Sequence, residues 1–457
     1  MTLTPQELLC AKEWNKIIKT NIENALGSKL DGEFVAANYP AGFNYAVKQQ
    51  YYNADSLSTL DSLVTLTDEI PTLSGAFSSL YKNVIGNLAY GFSTSDLAMM
   101  NQEETSQAAL VGTIINNYQQ SELDDYPKEY PSIMYIMKRI KEVTGTDYLH
   151  VDMKVYPNLA RLCRSLSEYA RLGVFTKKME NAWNDADDRM NAINNHISCP
   201  SDVNGGIKTD GNTFNIGWDK LPETAQILAE LKQGSTVSFS LSTSNISEST
   251  SSLHFENSAV VKIPFSWFFN VKVNHESSYD LTKYARHESQ LAISITFKGI
   301  TTLGSIPQLL TANNEKGWFA SDILVEAAAK SGKDTTGYQL HGSEFDYKIL
   351  FGRNGKLKRL KTFVISQQPV IELHFSKFDC TQMKEFFKEN TGVSFSFFGG
   401  IISGSHNNSY SFSNYNYDEQ KQTLDVSIIP APIRDSGSIG KQTAFILGGV
   451  PETYGEY

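Results

Sequence analysis

The chain has 457 residues, of which 40% are hydrophobic and 20% charged, which is enough apolar material for two or three globular domains and excludes a disordered chain. Its 50 acidic and 40 basic residues give a net charge of −10, which opposes binding to phosphate backbones and excludes nucleic acid as an expected partner. The four cysteines are widely spaced without a CxxC pair, which excludes a disulfide-built scaffold and favours a reducing compartment.

The N-terminal segment predicts an amphipathic helix and no targeting signal. Thr4, Pro5 and Glu7 form the pattern of a capping box with proline in the first turn, and apolar residues continue at helical spacing to about Leu26. Charged residues interrupt residues 1–20, and no run reaches the ~18 apolar residues that a spanning helix needs. We expect a protein made soluble in the cytoplasm without a signal peptide, so that any release would be leaderless.

Further apolar sets at spacings of three and four predict a helical bundle domain over residues 1–200. These sets are Leu57, Leu60, Leu63 and Val64; Phe77, Leu80, Val84 and Leu88; and Ile133, Met137, Ile140 and Val143.

The longest periodic pattern starts at Pro157 and predicts one helix of about 40 residues. Its apolar stripe includes Leu166, Phe175, Met179, Trp183 and Met190. A helix of this length is typical either of the spine of a bundle or of a helix that packs against another chain. These five residues are therefore the candidate helix interface, and Trp183 is predicted to lie in a core.

A cluster of turn-forming residues between 198 and 212 separates this half from a β-rich α+β domain over residues 201–457. Beyond the cluster, apolar residues alternate with polar ones, as expected for antiparallel strands with embedded helices. The fold class predicted is α+β, with a helical first part and an antiparallel β-rich second part.

The second half contains a pattern that predicts an internal duplication. Residues 213–264 and 370–430 each suit the order β-α-β-β, and the tetrapeptide VSFS recurs at 237–240 and at 393–396. The two segments, joined by 265–369, are expected to superpose with Phe239 equivalent to Phe395.

Motifs for catalysis or cofactor binding are lacking, since the sequence contains no P-loop, GxGxxG, HExxH or GxSxG pattern. The HES tripeptides at 275–277 and 287–289 are the best metal candidates, but adjacent residues of an extended chain point to opposite faces, which favours a surface connection. The basic run 356–361 is interpreted as an exposed edge strand protected by lysines. We predict no cofactor, no metal and no catalytic residue, and expect a non-enzyme.

The serine-rich segment 235–258 carries the sharpest functional hypothesis. Apolar residues alternate there with hydroxyl residues, and this composition resembles the insertion hairpins of β-pore-forming toxins, whose alternate residues face lipid and lumen. The layout of a helical part before a β-rich part also resembles soluble cytolytic and insecticidal toxins. The candidate membrane or assembly residues are Val237, Phe239, Leu241, Leu253 and Phe255.

The resemblance implies a toxin-like, non-enzymatic protein that forms homo-oligomers and interacts with or perforates membranes, with lipid or a cell-surface receptor as partner. The alternative is a structural, self-assembling subunit of a filament, crystal or shell, favoured by the aromatic, charge-poor strands. A second alternative is a carbohydrate- or ligand-binding module that uses Tyr410, Tyr415 and Tyr417.

Overall fold

The computed structural model describes most of the chain. Its description leaves out residues 1–3, 46–53, 68–69, 122, 124–130, 210–212, 220, 222, 248–249, 256–259, 274–276, 341–345, 390–392, 398–401, 404–409, 431–441 and 456–457.

Helices and strands both contribute large parts of the structure, which confirms the α+β class. The helices are α1 Pro5–Leu26, α2 Ala54–Leu60, α3 Phe77–Gly86, α4 Thr94–Gln119, α5 Ile133–Thr144, α6 Leu159–Leu172, α7 Val174–Ser198, α8 Thr224–Gln233, α9 Phe265–Phe268, α10 Ser321–Lys330, α11 Tyr347–Leu350 and α12 Cys380–Glu389.

The strands pair in antiparallel fashion. They are β1 Val35–Tyr45, β2 Ser62–Thr67, β3 Ile70–Ala76, β4 Leu88–Gly91, β5 Ile207–Lys208, β6 Phe214–Asn215, β7 Trp218–Asp219, β8 Ser235–Ser244, β9 Ser251–Phe255, β10 Val261–Ile263, β11 Phe269–Val273, β12 Ser277–Tyr279, β13 Ala285–Gly304, β14 Ile306–Pro307, β15 Gly337–Leu340, β16 Lys358–Ser366, β17 Val370–Phe378, β18 Val393–Phe397, β19 Ile402–Ser403, β20 Tyr410–Asp418, β21 Thr423–Pro430 and β22 Gln442–Thr453.

The chain forms two compact units that do not coincide with a division at residue 200. The sheet unit comprises Met1–Ile85, Ile193–Ser321 and Asp346–Tyr457, and the helical unit comprises Gly86–Ala192 and Asp322–Phe345. The first 85 residues fold with the second half because β1 pairs with β22 and β2 pairs with β16. Helical periodicity could not predict these N-terminal strands.

The sheet unit is organised around β13, a strand of 20 residues. Its first part pairs with β17 on one side and β8 on the other, and its last four residues pair with β16. The strand order β1-β22-β16-β13-β17-β21-β20, extended by β8–β10 and by β2–β3, makes a twelve-stranded sheet. β11, β12, β18 and β19 form a separate four-stranded sheet.

One face of the twelve-stranded sheet is apolar and is covered by α1, α12 and the four-stranded sheet. α1 begins with the predicted capping box, in which Thr4 and Glu7 hydrogen-bond each other's backbone N–H groups. Residues four apart along α1 then face the sheet, and the ring centroids of Trp14 and Phe239 are 5.4 Å apart. The helix is therefore held mainly by the burial of its apolar stripe.

The helical unit has its own core, which α4, α5 and α6 share. The predicted helix of 40 residues is two helices, because α6 ends at Leu172 and α7 begins at Val174, with Gly173 between them. Glu103 caps the second helix by accepting hydrogen bonds from the backbone N–H groups of Phe175 and Thr176. An uninterrupted apolar spacing thus does not prevent a helix break at glycine.

The predicted duplication is wrong. The VSFS segment of β8 lies in the twelve-stranded sheet beside β13, whereas that of β18 lies in the four-stranded sheet beside β11. The first strand of segment 370–430, β17, also pairs with β13, but the first strands of segment 213–264, β6 and β7, pair with β5 and β14. The two segments share a similar element order without sharing strand order.

The basic run 356–361 does not form an exposed edge. Lys358 and Arg359 belong to β16, which lies between β13 and β22, and both side chains are buried. The Lys358 Nζ donates to the carbonyl oxygen of Arg353 at 3.0 Å, and burial lowers the pKa of Lys358. The Arg359 guanidinium lies 2.6 Å from the Glu452 carboxylate. These partners make interior positions tolerable for two cations.

Asp61 is a buried carboxyl group close enough to Arg359 to be affected by its charge. Its Oδ1 accepts a hydrogen bond of 2.8 Å from the backbone N–H of Ser78, in the first turn of α3, and its Oδ2 accepts one from the Ser78 hydroxyl. Burial raises the pKa of Asp61 from 3.8 to about 6, although the Ser78 hydrogen bonds and the Arg359 charge act in the opposite direction.

Replacing Gly299 by alanine is expected to destabilise the sheet unit. Gly299 lies within β13 at φ +69°, and an added Cβ would overlap the carbonyl oxygen of Leu231 at the end of α8. The left-handed conformation and this overlap together should lower the free energy of unfolding by roughly 3 kcal/mol or more. Urea denaturation measures the loss.

Gly304→Ala is the matched control, because Gly304 lies in the same strand without a positive φ and no atom would lie within 4 Å of its added Cβ. This variant should be unchanged or about 0.5 kcal/mol more stable. Equal losses for the two variants would contradict the constraint at Gly299.

Asp61→Asn is expected to remove part of the pH dependence of stability. Between pH 4 and 6 the folded chain keeps a proton on Asp61 that the unfolded chain has lost, so the free energy of unfolding falls as the pH rises through this window. Two pKa units correspond to about 3 kcal/mol. Asparagine keeps an acceptor for the Ser78 N–H but does not ionise.

The parent protein and the Asp61→Asn variant should therefore have equal free energies of unfolding near pH 4, and the variant should be the more stable of the two above pH 6. Urea denaturation at a series of pH values measures the difference. A difference that stays constant between pH 4 and 8 would contradict the raised pKa.

Candidate functional site

The five hairpin residues singled out by the sequence lie together in one core. Val237, Phe239 and Leu241 of β8 are buried, and the side chains between them are exposed. Leu253 and Phe255 of β9 are buried on the same face. The alternation thus separates a packed apolar face from a hydroxyl-rich outer face.

The hairpin is an interior part of the sheet. β8 pairs with β13 from Ser235 to Ser244 on one side and with β9 on the other, and β10 continues the meander beyond β9. Both ladders hold the backbone of β8, so this strand cannot leave without breaking inter-strand hydrogen bonds on two sides. The meander therefore has the geometry of a fixed sheet hairpin.

Thr243 is an anomaly on the buried face of β8. Its side chain is 0% exposed, it is paired with Leu253 and Leu291, and its Oγ1 has no hydrogen-bond partner among the described residues. A buried hydroxyl without a partner lowers stability because it has lost its hydrogen bonds to water.

The opposite face of the same strands carries small and polar side chains in two rows. Strand register gives one row as Ser240, Ser294, Glu372 and Ser427, and the adjacent row as His254, Ser242, Ala292, His374 and Asp425. These nine residues line a depression of about 570 Å³ in the sheet surface.

Hydrogen bonds order both imidazoles of this polar depression. The Nδ1 of His374 bonds to Oδ1 of Asp425 on the neighbouring strand, and both side chains are 49% exposed. The Nε2 of His254 lies 3.1 Å from the hydroxyl oxygen of Ser244. The depression thus offers carboxylates, imidazoles and hydroxyls at fixed positions across five strands.

The helix-interface candidates do not form a single surface. Leu166 is buried in the core of the helical unit, and Met190 is also buried. Phe175 and Met179 are half-buried. Trp183 is 45% exposed, which contradicts its predicted core position, because the break at Gly173 ends the continuous stripe on which that prediction relied.

The structure tests the remaining sequence candidates only in part. His275, Glu276 and the side chain of His287 lie outside the described residues. Ser289 is buried and bonds to backbone atoms of Arg286 and Lys377, and Glu288 pairs with Lys377 at 2.5 Å. In the part of the chain that the structure describes, no group of three or more histidine, cysteine or acidic residues could hold a metal ion.

Three of the four cysteines are buried, and one of the three candidate tyrosines has a described side chain. All four cysteines are described and none forms a disulfide. Burial raises the pKa of the Cys10 thiol to about 12 and also raises the pKa values of Cys163 and Cys380. The hydroxyl of Tyr417 lies 3.0 Å from that of Thr381 on α12, and the side chains of Tyr410 and Tyr415 lie outside the described residues.

Sequence patterns could have located half of the polar depression. Glu372 and His374 alternate with apolar residues along β17, as Asp425 and Ser427 do along β21. Their outward direction follows from this alternation, but their meeting with β8 and β9 depends on long-range strand pairing.

Comparison with known proteins gives no relative, since no family model, no curated protein and no solved structure matches this chain. Within the described ranges, none of the helices combines the length and apolar character required to cross a membrane.

Thr243→Val is expected to stabilise the chain. Valine has nearly the shape of threonine but replaces the unpartnered hydroxyl by a methyl group, so the free energy of unfolding should rise by roughly 1 to 2 kcal/mol. Thr243→Ser, which keeps the hydroxyl and removes the methyl, should instead be less stable by about 1 kcal/mol. Chemical denaturation of the three proteins checks this order. Lower stability of Thr243→Val would mean that the hydroxyl is hydrogen-bonded.

Proposed function

We propose that this chain is a non-enzymatic, toxin-like protein that interacts with membranes, and that its membrane-active surface is the apolar face of β8–β10 beneath α1. The observation that carries the proposal is the amphipathic character of this meander. All five candidate residues lie on the face that α1 covers, while the outer face is rich in serine.

The strand ladders determine how this surface would become available. Since β8 is hydrogen-bonded on both sides, we favour movement of α1 over release of the hairpin alone. α1 is joined to β8 by side-chain packing and by a hydrogen bond of 3.3 Å from the Ser235 hydroxyl to the Ala25 carbonyl. Its departure leaves the sheet ladders intact and exposes a surface on which alternate residues are apolar, as in lipid-facing strands.

The α1 helix that covers this face also explains why the face would be exposed at a membrane and not in water. In water, moving α1 exposes Trp14 and Phe239 and costs about 25 cal/mol for each Å² of apolar surface. In contact with a bilayer, the same surfaces find an apolar environment, so the cost falls. The closed arrangement is therefore favoured in solution and the open one at a membrane.

Locking α1 to β8 should abolish membrane activity. Ala25→Cys combined with Ser235→Cys places two thiols at this contact, and Cys199→Ser removes the exposed native thiol. The oxidised protein should release at least tenfold less dye from phosphatidylcholine vesicles than the same protein after reduction. Neutral lipid is the first choice because the chain carries a net charge of −10.

Each variant that carries only one of the two introduced cysteines serves as a control and should release dye with or without reductant. The melting temperature of the locked protein must not fall below that of its parent. Equal leakage from the locked and reduced forms would contradict movement of α1. Absence of leakage from the native protein at any lipid composition, together with rings or filaments in buffer, would favour the self-assembling alternative.

A further inference from the structure

We propose that the polar depression on the outer face of the twelve-stranded sheet is a binding site for a short neutral saccharide. This site lies on the face opposite the membrane-active surface proposed above and depends on different residues. The two proposals can therefore fail separately.

The shape of the depression follows from the sizes of its side chains. Its floor consists of the smallest residues of the central strands, which are Ser240 and Ser242 of β8 and Ala292 and Ser294 of β13. Longer side chains stand on both sides, with His254 on β9 and Glu372, His374 and Asp425 on β17 and β21. The volume of about 570 Å³ is that of a small-molecule site, for which about 300 to 1,000 Å³ is usual.

The chemistry of the walls suits a ligand rich in hydroxyl groups. The carboxyl oxygens of Glu372 and Asp425 accept hydrogen bonds, and serine hydroxyls both donate and accept. The bond between His374 Nδ1 and Asp425 orients the imidazole and leaves its Nε2 as the nitrogen able to bond a ligand. Sugar hydroxyls can satisfy all of these groups at once, and those donated to carboxylates form charge-assisted hydrogen bonds.

Charge and burial argue against anionic and apolar ligands. No lysine or arginine is among the described residues that line the depression, so the two carboxylates oppose phosphorylated, sulfated or carboxylated ligands. The apolar lining residues Leu241 and Phe255 direct their side chains into the core, where they are about 5% exposed or less, so an apolar ligand would find little contact. The site differs from the tyrosines suggested by the sequence, because Tyr417 packs against α12.

The test is saturation-transfer NMR on the full chain with lactose, maltotriose and N,N′-diacetylchitobiose as neutral probes, sialyllactose as an anionic probe and chitosan disaccharide as a cationic probe. At least one neutral probe should bind, and sialyllactose should not. Ala292→Trp, which fills the floor at an exposed position, should weaken binding by at least tenfold. Thr236→Trp is the matched control. Thr236, on the neighbouring strand β8, is exposed like Ala292 but does not line the depression, so this variant should bind the probes as the parent protein does.

Glu372→Gln combined with His374→Ala is a second variant, at two exposed positions, and should also weaken binding at least tenfold while leaving the melting temperature unchanged. It keeps the proposal open to refutation if Ala292→Trp does not fold. Failure of every neutral probe, stronger binding of the cationic or anionic probe, or neutral-probe binding that survives these variants would overturn the proposal.

Discussion

The backbone at Gly299 allows β13 to run through the whole sheet unit. At this point β13 passes from its pairing with β17 to its pairing with β16, and its register against β8 shifts by one residue. The carbonyl of Leu231 approaches Gly299 so closely that a side chain would not fit. The side chain of Gln367 donates to the same carbonyl at 2.6 Å, and its backbone N–H donates to Lys298 at 2.8 Å. Among the strands that the two proposals require, β8 and β17 pair with β13 directly, and β9, β10 and β21 extend the sheet from them.

The two faces of this sheet have opposite chemistry because strand residues alternate. On β8, the buried residues pack beneath α1, while Ser240 and Ser242 on the other face form part of the floor of the polar depression. A single strand therefore has a buried apolar face and an exposed polar face. On the two proposals, exposing the apolar face requires α1 to move, whereas the polar depression is already exposed, so the chain would recognise a polar surface before it contacts an apolar one.

Buried charges explain why the basic run 356–361 does not form the exposed edge that its composition predicts. The run from Lys356 to Lys361 has the composition of an exposed edge, yet Lys358 and Arg359 lie within the sheet. They are tolerated because Arg353, Glu452 and Ser305, which lie far along the chain from one another, supply hydrogen bonds and a counter-charge. Amino-acid composition indicates that burying a cation would be costly, but it does not show which partners offset that cost.

Local patterns were sufficient to predict the capped helix α1, the alternation of β8 and β9, and the α+β class, because each depends on residues within one helix turn or one strand pleat. Tertiary structure alone decided that β1–β3 join the C-terminal sheet, that the VSFS segments enter different sheets, and that Glu372 faces Ser240, and His374 faces Ser242, across β13. These arrangements depend on the pairing of strands that are up to about four hundred residues apart. The register of such pairs is set by core packing, which cannot be predicted from the local spacing of residues.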